Sequence, residues 1–311
     1  MKNELFNKIL KYVTNKEFRY FVNTDVFHMY RNMSDYEYLK KKYKDILGRD
    51  LNLDNPKSFT EKLQWLKIND RRDIYSKMVD KYEAKKFISS IVGDDYVIPT
   101  LGVWNNVEDI DFDKLPNQFV LKCTHDSASI IICKDKNKLN LKKVKRKLNK
   151  SLKRNFYVYH REWPYKNVPH RIICEPFMKE DDESIENACL TDYKFFCFNG
   201  EPQVFYISKD KGAEPTTDFF DMNFKNLPFR MKDPNSKILP KKPECFEKMR
   251  EMAKKLSKGI PHLRVDFYYI NKHIYVGELT FYHCAGFVKI VPEEWDYKLG
   301  NMIDLSSVKS K

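Results

Sequence analysis

The amino-acid sequence predicts an α+β protein in which a mostly helical N-terminal region precedes two α/β subdomains that face one another across a cleft. Three observations carry this. Apolar positions recur at helical spacing over residues 1–92, β-type patterning begins near Val97, and the last third is rich in hairpin signals. The expected boundaries are a helical region at 1–92, a small subdomain at 93–177 and a C-terminal subdomain at 178–311.

In the helical region the periodic positions are Leu5, Ile9, Leu10 and Val13, then Tyr36, Leu39 and Tyr43, then Leu63, Leu66, Met78, Tyr82 and Phe87. Ser58 followed three residues later by Glu61 is a reciprocal cap that starts a helix. Residues 119–123 and 129–133 read as two strands around a short loop, and residues 139–154 as a helix. The strand at 171–174 stops at Pro176, which has no N–H to give a ladder. Residues 193–198 and 203–207 flank Asn199-Gly200, a hairpin turn signal. An amphipathic helix at 244–257 precedes strands at 263–270 and 274–280.

Composition removes several classes. The chain has 311 residues with 22 Phe, 19 Tyr and 4 Trp, too much buryable surface for a disordered tail. The longest informative apolar run, 128–133, falls far short of the roughly 18 residues a membrane helix needs, so no transmembrane segment is expected. Lys2, Glu4, Lys8, Lys11 and Lys16 interrupt the apolar positions of the first helix, which argues against a secretory signal and for a cytoplasmic location. Seven cysteines without a CxxC pair read as reduced, buried thiols. Nine glycines compose neither GxGxxG nor a P-loop, and the histidines form no HExxH. The formal charge of +13 fits either a solvated lysine-rich helix at 142–153 or attraction to an anionic partner.

The strongest chemical signal is the pair of strands carrying Arg264, Asp266 and Tyr268 on one face, and Val276, Glu278 and Thr280 on one face. A two-residue loop at Asn271-Lys272 pairs Asp266 with Gly277 and sends Glu278 to the opposite side. A three-residue loop at 271–273 instead pairs Asp266 with Glu278 and Arg264 with Thr280. Opposed carboxylates repel unless a cation lies between them, so this second register makes a site for magnesium holding phosphates. Arg264 adds a fixed charge for a phosphate or a developing oxyanion. The plainer alternative is a surface hairpin with scattered charges.

Lys122 ends an apolar strand and precedes a loop of small and polar residues, 124–129, that includes Ser127 and is suited to folding over phosphates. Lys194 shares a strand face with Phe196 and Phe198, so its ammonium either snorkels to the edge or meets an anion. Glu175 opens an Glu-Pro-Phe-Met connector between the subdomains.

Taken together, these stretches are similar in order and spacing to the ATP-grasp fold, and most closely to its TupA-like branch of bacterial surface-polysaccharide biosynthesis. The likeness covers residues 50–300 and is carried by 55–65 (NPKSFTEKLQW), Asp80-Lys81-Tyr82, 119–127 and 277–287. It implies that Lys122, Ser127 and Lys194 contact ATP phosphates, that Glu175 and the backbone near Phe177 hold adenine, and that Asp266 and Glu278 bind Mg2+. Arg264 becomes the catalytic cation, with His283 and Gly286 in the segment that meets the acceptor. Cys284 is expected to be a packed thiol. The implied reaction joins a carboxylate to an amine through an acyl phosphate, the carboxylate being a uronic acid of a surface glycan and the amine an amino acid or small amine. Two other classes are a glycosyltransferase using Asp111-Phe112-Asp113 and a basic nucleic-acid binder using 142–153. The second lacks any RNA-recognition or zinc-finger signature, so no nucleic-acid partner is expected.

Overall fold

A computed structural model describes residues 2–127, 129–179, 190–209 and 215–308. Ala128 of the expected phosphate loop and Cys189 lie outside the described residues, as does the side chain of Leu5.

The helical opening consists of α1 (Lys2–Thr14), α2 (Lys16–Asp25), α3 (Asp35–Leu47), α4 (Phe59–Asn69), α5 (Ile74–Val79) and α6 (Glu83–Val92). Ser58 and Glu61 form the expected capping box at the start of α4, and Ser34 with Glu37 does the same for α3. Helix α3 ends on Gly48, whose φ of 77° belongs to the left-handed region that glycine reaches without strain.

The first sheet is built from β1 (Gly102–Trp104), β2 (Phe119–Cys123), β3 (Ile131–Cys133) and, after helices α7 (Leu141–Leu152) and α8 (Tyr157–His160), β4 (Ile172–Pro176). Its order is β1-β4-β2-β3, and every pairing is antiparallel. Strand β3 starts two residues later than the sequence suggests because Ser129 turns inward. Its hydroxyl accepts the Cys123 N–H at 2.6 Å and donates to Asp126. Val144 and Leu148 of α7 pack into the same buried cluster as Leu121 and Cys174.

The second sheet comprises β5 (Asp192–Phe198), β6 (Glu201–Lys209), β7 (Thr216–Phe220), β8 (His262–Ile270) and β9 (His273–Thr280), ordered β7-β6-β5-β8-β9 and antiparallel throughout. Asn199 and Gly200 turn β5 into β6 with φ of 52° and 85°, as the dipeptide predicts. Strand β7 is not anticipated from the sequence. Helix α9 (Phe246–Ser257) packs Phe246 against Phe195 and Phe205, with Met249 in the same core cluster.

The helical opening is not a separate body. Phe59, Leu63, Tyr75, Met78 and Ile88 of α4 to α6 lie in one core cluster with Phe196, Val265 and Phe267 of the second sheet. Helix α10 (Glu294–Asn301) closes this contact: the Asp296 carboxylate accepts the Thr60 N–H at 2.9 Å and pairs with Arg49. At Gly300 a Cβ atom would lie 2.2 Å from the Lys57 carbonyl oxygen, so only glycine permits the approach. Among the described residues no helix is long and apolar enough to cross a membrane.

Candidate active site

The β8–β9 hairpin sets the geometry. Asn271 and Lys272 take φ of 51° and 61° and make a two-residue turn, with Ile270 opposite His273 and Phe267 opposite Val276. The register then shifts by one residue at Gly277, so Asp266 stands opposite Glu278 and Arg264 opposite Thr280. Of the two ways to bring the carboxylates to one face, a longer loop or a bulge, the hairpin uses the β-bulge. Glycine suits the bulge, since a Cβ there would approach the Tyr268 ring to 2.7 Å.

Arg264 is the hub of this face. Its Nε and Nη2 donate to the two Asp266 carboxylate oxygens at 2.6 and 2.7 Å, Nη2 also reaches the Thr280 hydroxyl at 3.0 Å, and Nη1 lies 2.8 Å from His283 Nδ1. Lys194 arrives from β5 and places its ammonium 3.0 Å from Asp266 and 3.4 Å from Asp192. The ammonium shared with Phe196 and Phe198 therefore meets an anion rather than snorkelling. Burial opposes ionisation of Asp266, but Arg264 and Lys194 outweigh it and hold the carboxyl below its ordinary range. Glu278 is different: its side chain is 40% exposed and lies 3.9 Å from Arg264, against 4% exposure for Asp266. Glu278 is the open carboxylate of the pair.

The facing wall is also cationic. Lys122 of β2 and Lys85 of α6 lie 2.6 and 2.7 Å from the two oxygens of Glu175. Burial works against the Glu175 charge, and the two ammonium groups overcome it and lower its pKa. Lys81 ties the helical region to the loop after β2, with its N–H on the Thr124 carbonyl at 3.1 Å and its ammonium on the Asp126 carbonyl. A narrow pocket is lined by Lys81, Lys85, Lys122 and Glu175 on one side and by Gly277 and Glu278 on the other. It is the place where the two sheets meet.

The remaining expected site residues occupy varied surroundings. The Glu175 side chain, near the end of β4, is held between Lys122 and Lys85. Phe177 is half-buried just past the end of β4, and Ser127 is exposed at the loop tip. His283 is buried, props Arg264, and burial together with the Arg264 charge depresses its basicity. Gly286, with φ of 67°, is fixed by packing, since a Cβ there would lie 2.3 Å from the Gln64 amide nitrogen and 3.1 Å from Leu63. The Cys284 thiol is exposed rather than packed, whereas the other described cysteines are buried. Asp111 and Asp113 are exposed on either side of Phe112, which is buried in the core of the first sheet, and Asp111 pairs with Lys114 at 3.1 Å.

Four side chains that sequence reasoning missed complete the surroundings. Lys85 lies in the first turn of α6 and Lys81 in the turn just before that helix, so no single helix face carries both. Lys67 is buried and donates to Gln64, to the His160 carbonyl and to the Ala285 carbonyl at 2.8 to 2.9 Å, with burial pushing its pKa down to about 7. The Glu162 side chain is buried and makes no hydrogen bond or ion pair with the described residues, and burial raises its pKa to about 7 while Lys67, Lys42 and Arg264 pull the other way. Nothing in the local sequence marks either of these two.

Asp266 and Glu278 supply hard oxygen donors of the kind magnesium takes, and a site built on two carboxylates leaves the remaining positions to phosphate and water oxygens. Among the described residues no cluster of three or more metal-ligating side chains occurs.

A family model described as TupA-like ATPgrasp matches residues 61–304. Similar solved structures include D-alanine–D-alanine ligase from Bacillus anthracis complexed with ATP, at 16% identity and a TM-score of 0.38, covering 66% of this chain and 55% of that one. The corresponding ligase from Helicobacter pylori is 14% identical with a TM-score of 0.40, covering 79% and 69%. N5-carboxyaminoimidazole synthase from Aspergillus clavatus, in complex with ADP and its ribonucleotide, is 11% identical with a TM-score of 0.37, covering 70% and 46%. The chain thus spans little more than half the length of the Bacillus enzyme. No curated protein matches.

Proposed function

The chain belongs to the TupA-like ATP-grasp family, and from that premise we propose that it is an ATP-dependent carboxylate–amine ligase forming an amide through an acyl phosphate. The observation that carries this is the pocket between the sheets, where Lys81, Lys85 and Lys122 face Glu278 near the Arg264–Asp266–Lys194 cluster. Such a constellation suits phosphoryl transfer, in which the protein's work is positioning and charge neutralisation.

Lys122 and Lys194 hold the nucleotide phosphates, with the loop at Ser127 covering them, and Glu175 keeps Lys122 and Lys85 in place until the nucleotide arrives. The backbone near Phe177 borders adenine. Asp266 and Glu278 hold Mg2+, which when bound neutralises phosphate charge. An oxygen of the substrate carboxylate bonds to the γ-phosphorus as the bond to ADP breaks. The amine nitrogen then bonds to the acyl carbon, phosphate leaves with the electron pair, and the amine proton passes to a base. Arg264, fixed by Asp266, Thr280 and His283, steadies the charge that develops. Glu162, buried beside this cluster without a partner, is the carboxylate suited to take the proton.

The substrate pair implied by the family likeness is a uronic acid of a surface glycan and an amino acid or small amine, with the reaction in the cytoplasm where ATP is made. The test is ADP release from ATP across a panel of uronic acids and amines, with hydroxylamine to trap the acyl phosphate. A uronate-dependent hydroxamate supports the reading. Consumption of a nucleotide sugar without ATP turnover would overturn it in favour of glycosyl transfer.

A further inference from the structure

Helix α1 carries Phe6, Ile9, Leu10 and Val13 on one stripe, spaced three and four residues apart, and each of these side chains is more than half exposed. None belongs to a core cluster. Past the end of α2 the same region exposes Val26, Phe27 and Met29 to a similar degree. Seven large apolar side chains within 24 residues are therefore left to water, a concentration that scattered surface hydrophobes do not produce.

A cation-lined cavity of about 500 Å³ opens in the same segment. His28 and Arg31 line it from the chain after α2, and Lys150, Lys153, Arg154 and Arg161 line it from α7 and the chain that follows. Asp25 is the carboxylate on its wall, where it lies 3.2 Å from Arg154 Nε. Arg31, Lys150 and Lys153 have no ion pair among the described residues. Arg161 is buried, and its Nε has no hydrogen-bond partner, the nearest carboxylate oxygen being 3.7 Å away on Asp35. The lysines are not needed to cap α7, because His125 and His170 already meet the last-turn carbonyls of Ser151 and Leu152. This helix is the lysine-rich stretch that the ligase reading leaves without a task.

We propose that this face of the protein is a docking surface for an anionic lipid bilayer, with the α1 stripe and residues 26–29 entering the acyl boundary and the cationic cavity receiving headgroup phosphates. Charge complementarity selects this occupant. A second copy of the chain would bring the same positive cavity against itself, whereas an anionic bilayer satisfies both the apolar stripe and the guanidinium and ammonium groups. Apolar insertion and phosphate capture are both required, since one amphipathic stripe alone binds a bilayer only weakly. The surface lies outside the pocket between the sheets, so it is independent of the ligase reading.

The test is co-sedimentation of the full chain with vesicles of phosphatidylcholine alone and of phosphatidylcholine with 30% phosphatidylglycerol. The wild-type protein should partition onto the anionic vesicles at least ten-fold better than onto the neutral ones, and raising the salt should reduce the difference. Phe6→Ser with Leu10→Ser, and separately Lys150→Glu with Lys153→Glu, should each lower partitioning at least ten-fold. These positions are exposed and outside the cores, so melting temperature and ATP turnover should stay at wild-type values. A wild-type protein that remains in the supernatant with anionic vesicles would overturn the proposal, and so would partitioning that neither double variant reduces. Concentration-dependent dimers abolished by Phe6→Ser with Leu10→Ser, without vesicle binding, would assign the stripe to a second copy instead.

Discussion

Asp266 and Glu278 stand directly opposite one another on β8 and β9, and the extra residue at Gly277, rather than the turn, brings them to one face. The two carboxylates are unequal partners. Asp266 is enclosed by Arg264 and Lys194, while Glu278 looks into the pocket and is partly solvated.

That inequality makes Glu278→Gln a selective probe. Its distance of 3.9 Å from Arg264 and its exposure mean that the ion pair contributes little, so melting should change by no more than about 0.5 kcal/mol in stability. Magnesium-dependent ADP release should instead fall by orders of magnitude as the phosphate charge loses its clamp. Near-normal turnover in this variant would end the metal assignment.

The lysines predict a second pattern. Lys122→Ala leaves Glu175 with Lys85, and Lys194→Ala leaves Asp266 with Arg264, so each variant should fold. Each should weaken ATP binding by about 1.5 to 3 kcal/mol, the size of one charge-assisted contact. Glu175→Gln is the contrasting change, because it strips two ammonium groups of their counter-charge at once and should destabilise by about 3 kcal/mol. Calorimetric ATP titrations beside thermal melts of the three variants separate these outcomes. Unchanged ATP affinity in both lysine variants would sink the phosphate-binding roles.

Much of this was legible in the sequence, because the signals were local. The Ser58–Glu61 cap, the Asn199-Gly200 turn and the alternation of residues 263–280 each depend on neighbours within a few positions. The pairing of Asp266 with Glu278 was legible as one of two registers, and the choice fell to a bulge whose only mark is a glycine. Strand β7 was missed because Thr216 and Thr217 precede a short aromatic run that also fits a loop. The packing of His283, Gly286 and Glu162 was not legible for another reason. Their surroundings come from α4, β8 and the chain after α8, and long-range burial leaves no local pattern. Lys67 carries no mark in the local sequence, yet it is among the most buried of the described side chains.

Arg264 tests whether geometry or charge matters at the hub. Lysine keeps the charge but has one ammonium where the guanidinium makes a fork, so it cannot serve both Asp266 oxygens, Thr280 and His283 together. Arg264→Lys should reduce turnover at least about 100-fold, the scale of one lost donor to a developing oxyanion. ATP affinity should fall much less, because Lys122 and Lys194 are untouched. Turnover within about three-fold of wild type would place the transition-state charge elsewhere.

Lys67 gives the pH prediction, and its sign follows from which state holds the proton. Burial lowers the folded pKa from 10.5 to about 7, whereas the unfolded chain keeps the ordinary value. Below about pH 7 both states are protonated and the buried charge is a constant penalty. Between about pH 7 and 10.5 the unfolded state alone binds the proton, so stability rises with pH, by up to about 1.4 kcal/mol per unit for a full proton. Lys67→Met removes this titration and keeps the aliphatic stem. Glu162 titrates near the same pH and is coupled to Lys67, so the comparison belongs in a Glu162→Gln background, where only the lysine distinguishes the two proteins. Denaturant melts from pH 6 to 9 should show the lysine-containing protein gaining on the methionine variant as pH rises. A constant gap across that range would mean that the Lys67 ammonium stays charged in the folded core.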